Sequence, residues 1–236
     1  MVIQKRFGLS LLALSCLGLS ACDFNDNDGA PAPVPPADVS YSYEVTVHNM
    51  TQGQPLSPVG VALHGDVVMW EVGMPASEAL EVLAEGGDNS DFTASEGVVA
   101  FASGAGPIAP GSSETITVTV VNEPDTFISV ATMLVNTNDA FAGVTGHALG
   151  ELEVNQSMTV ALPVLDAGTE ANSEVAGTIP GPADGGEGYN AERDDADVVS
   201  FHPGVISAED GLTMSVLSAA HRFDNPAVKL TITRVE

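Results

Sequence analysis

Two short stretches carry carboxylates at spacings that suit a hard cation. Asn136-Thr137-Asn138-Asp139 follows the apolar run Ile128 to Val135, and Asp166-Ala167-Gly168-Thr169-Glu170 follows the alternating Met158, Val160 and Leu162. Calcium gathers oxygen ligands, carboxylates above all, and tolerates the irregular geometry that loops offer. Asp139 would come from a loop fixed at its base by a rigid strand, and Asp166 and Glu170 from a second loop built around a Gly. Taken alone, an Asp after Asn-Thr-Asn reads as a capping turn. Asp139, Asp166 and Glu170 are therefore candidate oxygen ligands for a hard cation.

Other chemistry is hard to find. There is no G-x-S-x-G elbow, H-E-x-x-H, phosphate loop or dinucleotide fingerprint. His48, His64, His147, His202 and His221 lack metal-ligand spacing and read as structural or exposed. Trp70, beside Val67, Val68 and Met69, reads as core. Glu85, Asp88, Asn89 and Asp91 surround Gly86-Gly87 and read as a solvated helix end. Asp23 to Gly29 superficially suits an EF-hand loop, but Asp28 falls where the Gly must be.

The elements that must position these residues are mostly strands. Tyr41 to His48, Val59 to Leu63, Val98 to Phe101, Glu114 to Val121, Met158 to Leu162, Val198 to Phe201, Thr213 to Leu217 and Val228 to Thr233 are predicted strands, several with clean inside-outside alternation. Ile128 to Val135 is apolar on both faces, so both faces should be buried, and turn chemistry is expected from Asn136 through Gly143 and Gly146. One helix is expected, opened by Pro75 and Ala76 and stopped by Gly86-Gly87, with a length that suits a lid across one end of a sandwich. Ala171 to Asp197 reads as a long surface loop. A single core is expected.

Address and charge follow from the first residues. Lys5 and Arg6, the apolar run Phe7 to Leu19, and Leu19-Ser20-Ala21-Cys22 read as a lipoprotein signal peptide. Cleavage before Cys22 implies a bacterial source and a lipid on that cysteine, anchoring the protein to a membrane of the cell envelope. Residues 1–21 are then leader, 22–40 a lipidated Cys and Pro-rich tether, and 41–236 the folded domain. Cys16 is discarded with the leader, leaving no thiol for a disulfide or thiolate metal site. Removing Lys5 and Arg6 leaves four basic residues against 32 acidic ones, a net charge of 4 − 32 = −28. Nucleic acid and anionic surfaces are poor partners for such a chain; cations are good ones.

The two carboxylate loops together resemble the spondin N-terminal domain. That family carries a strand ending in an "SPDWFVG"-like loop and then a "DAGTDSG" loop, where this chain has NTNDAFAGV and DAGTEANS. Leu56-Ser57-Pro58-Val59 resembles its "fSP" element, and Gly73, Ala76-Ser77 and Leu83-Ala84-Glu85-Gly86 its "G..AS.gl..lAE.G" helix, in the same order. The resemblance implies an all-β, Greek-key sandwich like the C2 domain, with calcium bound at one end by Asp139, Asp166 and Glu170. Glu170 departs from the family's Asp, and Ala140-Phe141 replaces its Trp. The resemblance also implies a non-enzymatic adhesion or binding role toward a protein or glycan. Paired carboxylates also admit an envelope enzyme acting on polysaccharide, which would need an open cleft and one carboxyl of raised pKa.

Overall fold

Side-chain alternation decides which strands face water and which lie between layers. The computed structural model describes residues 35–236, so the leader, Cys22 and most of the tether lie outside the described residues. In chain order the strands are β1 (Ser40–Asn49), β2 (Gly60–His64), β3 (Val98–Ser103), β4 (Ser113–Val121), β5 (Phe127–Met133), β6 (Ala140–Ala148), β7 (Ser157–Leu162), β8 (Val164–Asp166), β9 (Ser200–Phe201) and β10 (Val228–Arg234). They form two antiparallel sheets, ordered β4-β1-β10-β7 and β3-β2-β5-β6-β8-β9. The first alternates cleanly. Tyr43, Val45, Val47, Ile116, Val118, Val120, Val228, Leu230 and Ile232 are buried against the second sheet. Thr46 and Thr115, and Ser157 and Thr233, pair their hydroxyls on the wet face, each at 2.8 Å.

The six-stranded sheet is covered on both faces, which is why β5 is buried along nearly its whole length. Its inner face packs on the smaller sheet. Its outer face carries helix α1 (Glu78–Gly86) and the short α2 (Ser90–Thr93), through Leu80, Leu83, Ala84 and Phe92 packed with Trp70, Ala131 and Phe141. The expectation of a single core is therefore corrected: there is a second apolar layer, and α1 lies on a sheet face rather than across one end. Two short helices replace the one expected. Ser77 caps α1 by accepting the Leu80 N–H, a contact worth about 1 kcal/mol. Gly87, in the left-handed region at φ 71°, ends the helix by donating to the Leu83 carbonyl.

Three further expectations are corrected. Gly143 and Gly146 lie inside β6, not in a turn; a Cβ on Gly143 would stand 2.8 Å from the Trp70 ring, so the glycine makes room for the indole. Thr213 to Leu217 forms no strand and makes only a bridge from Ser215 to Val175, with Leu217 packing on Ile179 and Val205. The 171–197 stretch contains no helix or strand, as expected of a loop, but Glu174 and Ile179 are buried and it is tied down at many points. Among the described residues no helix is long and apolar enough to cross a membrane.

Candidate metal centre

Antiparallel pairing brings the two carboxylate loops to the same end of the six-stranded sheet. The chain leaves β5 at Met133, turns through Asn136 to Asp139 and re-enters as β6, whose Ala140 pairs with Asp166 at the end of β8. The turn is a polar knot with almost no exposure: Asn136, Thr137, Asn138 and Asp139 are 2%, 2%, 1% and 0% exposed. Each of the first three is satisfied. Asn136 accepts from Ala183 N–H and donates to Gly53, Thr137 donates to Leu134, and Asn138 donates to Glu170 Oε1 at 3.0 Å and accepts from Glu174 N–H.

Asp139 is different. Its Oδ2 accepts the N–H groups of Thr169 and Glu170 at 2.9 and 3.2 Å, but its Oδ1 is buried with no hydrogen-bond partner. Leaving a buried acceptor unpaired is costly, and an orphaned carboxylate oxygen in a native fold calls for a proton or a cation. Burial, together with the charge of Asp166, pushes the Asp139 carboxyl up to about 7.

Asp166 is 4% exposed and accepts from Gly168 N–H at Oδ1 (2.9 Å) and from Asn172 Nδ2 at Oδ2 (2.5 Å). Burial raises its pKa and these two bonds oppose the rise. Glu170 sits apart from this pair. Its carboxylate is held by Asn138, and burial, reinforced by Glu85, Asp194 and Glu187, pushes it up to about 7. The structure thus brings together two of the three expected ligands, and turns the third toward a neighbouring group of acids.

Glu85, expected at a solvated helix end, is 1% exposed. Its position on the last turn of α1 points it beneath the segment 186–197, where Asn190 N–H donates to its Oε2 at 2.9 Å. Burial raises its pKa. Its charge acts on both Asp139 and Glu170, so it bridges the two halves of the acidic group. The covering segment is clamped by Arg193, which binds Glu81 and the Ala76 carbonyl on the helix side and Asp197 on its own. The sequence signal for Glu85 was its place in the "lAE.G" resemblance; nothing local announced its burial.

Every donor in the group is a hard oxygen, which suits calcium or magnesium and not a soft metal. The orphaned Asp139 Oδ1 fits a cation. As the side chains stand, however, no three His, Cys, Asp or Glu among the described residues form a group able to hold a metal ion. The cavity of about 540 Å³ beside Arg222 and Phe223 contains none of the four carboxylates.

Antiparallel sheets packed face to face, with buried carboxylate loops at one end, define an all-β sandwich domain. The Spondin_N family model matches residues 51–178, which is 128 of the 236 residues, and the chain belongs to that spondin N-terminal domain family. Glu85, Asp139, Asp166 and Glu170 all fall within the match; β1, β10 and His202 fall outside it. No curated protein matches the chain. Membership supports an extracellular or envelope domain of a binding or adhesion type, in a non-enzymatic kind of family.

Proposed function

We propose that this is a lipid-anchored, non-enzymatic binding protein of the cell envelope whose sandwich is stabilised by calcium at the Asp139 loop. The observation that carries the reading is the buried, unpartnered Asp139 Oδ1 beside Asp166. Asp139 and Asp166 would be the principal ligands, with Glu85 and Glu170 adding negative charge around them. Calcium would neutralise carboxylates that otherwise repel one another and resist ionisation in a desolvated site. The partner reached by the sandwich would be a protein or a glycan outside the membrane, and Cys22 would carry the anchor.

Acid–base catalysis is the weaker reading. Asp139, pushed to about 7, has a pKa suited to a general acid, but it is fully buried, whereas a general acid must reach the glycosidic oxygen of a bound polysaccharide.

Thermal melts of the full chain in calcium and in chelator test the proposal. A hundredfold excess over Kd stabilises by about 2.7 kcal/mol, which is roughly 5–10 °C in Tm for a domain this size. Magnesium should give a much smaller rise because it demands tighter octahedral geometry. Superimposable melts in millimolar calcium and in chelator would remove calcium from the account.

A further inference from the structure

Resting on the calcium reading, we infer that Asn172 and His202 are positioning residues for the cation site: His202 orients the Asn172 amide, and Asn172 holds the Asp166 carboxylate in place. The directions of the bonds follow from one another. Gly204 N–H donates to His202 Nδ1 at 2.9 Å, so that nitrogen is an acceptor and Nε2 carries the proton. Nε2 lies 3.0 Å from Asn172 and donates to its Oδ1. With the oxygen turned to the imidazole, the amide must present Nδ2 to Asp166 Oδ2, at 2.5 Å. The flipped amide would set two donors against each other and a carbonyl oxygen against a carboxylate.

Every bond in this chain therefore donates toward the negative charge, an arrangement in which successive bonds polarise and strengthen one another. Asp166 Oδ1 accepts the Gly168 N–H, so each oxygen holds one donor and retains a lone pair. Outer groups of this kind fix the orientation of metal-binding carboxylates, and losing one typically weakens metal affinity by roughly 10–100-fold.

His202 is more than filler. It is 5% exposed, and its ring lies against Phe223 at 5.4 Å between centroids, a place that Leu could fill as well. Its backbone N–H donates to Val164 on β8, the strand that ends in Asp166, so the ring is fixed relative to the carboxylate it serves. Burial pulls its pKa down to about 4, which keeps the ring neutral at ordinary pH. His202 also lies beyond the matched residues 51–178, so the later part of this chain supports a site formed within the earlier part.

Calcium titration calorimetry on the full chain, with Asn172→Leu, His202→Leu and His202→Gln, tests the inference. Asn172→Leu and His202→Leu should weaken binding roughly 10–100-fold, and His202→Gln, which keeps an N–H donor, should recover most of the loss. Near-UV circular dichroism of each variant separates lost folding from lost affinity. Independently of any metal, long-range nitrogen-15 spectra of the calcium-free protein at pH 7 should show His202 protonated at Nε2. A His202 protonated at Nδ1, or variants that fold and bind calcium as the wild type does, would overturn the inference while leaving the calcium reading intact. A wild-type chain that takes up no calcium would overturn both.

Discussion

At Asp139 two costs meet, since the carboxylate is fully buried and one of its oxygens has nothing to accept from. Its folded pKa of about 7 lies above the unfolded value near 3.9. The metal-free fold therefore holds this proton more tightly than the unfolded chain, and its stability should fall as pH rises from about 4 to 7. Asp139→Asn should remove the part of that fall that Asp139 contributes and leave the part due to Glu170. The amide oxygen can still accept from Thr169 and Glu170, and the side chain no longer carries a charge that repels Asp166. Denaturant unfolding in chelator should show the variant as stable as wild type or more so at pH 8, with no response to calcium. A variant less stable at pH 8 in chelator and still responsive to calcium would contradict the assignment. Asp139 and Asp166 were legible because loop carboxylates after strands are a local pattern. Glu85 was not: Gly86-Gly87 reads as an exposed helix terminus, and the segment that buries it arrives about a hundred residues later in the chain.

At the scale of elements, α1 and the 186–197 segment act as one cover over the acidic group, and Arg193 is their clamp. Glu81 is almost wholly buried, and its second carboxylate oxygen has no partner, so truncating Arg193 strands a buried charge. Arg193→Ala should cost roughly 2–3 kcal/mol, below the range for fully buried pairs because the guanidinium is partly exposed. Urea unfolding measures it, and a loss under about 0.5 kcal/mol would leave the clamp without energetic weight. Strands such as β1, β4 and β10 could be read directly because alternation records one buried face. β6 was hidden by Gly143, whose missing side chain accommodates Trp70 from a distant segment. The Thr213 to Leu217 pattern misled because Leu217 packs on Ile179 and Val205 instead of joining a sheet.

For the whole molecule, the excess of 32 acidic residues over six basic ones makes cations the natural small partners. The proposed lipid anchor rests on the apolar run and small residues that precede Cys22. Changing Cys22 to Ser should release the protein from the membrane fraction and abolish incorporation of labelled palmitate; continued labelling would refute the anchor. The sandwich and its family were legible from ordered motifs and alternation. The second apolar layer was not, because it depends on which faces the helices cover. Calcium at Asp139 is the central claim, and isothermal titration at pH 7 in two buffers of different ionisation enthalpy tests it most directly. The account predicts one site per chain with proton release, since Asp139 and Glu170 are both partly protonated near 7 before the ion enters. No heat of binding at millimolar calcium, or the same binding in Asp139→Asn, would contradict it.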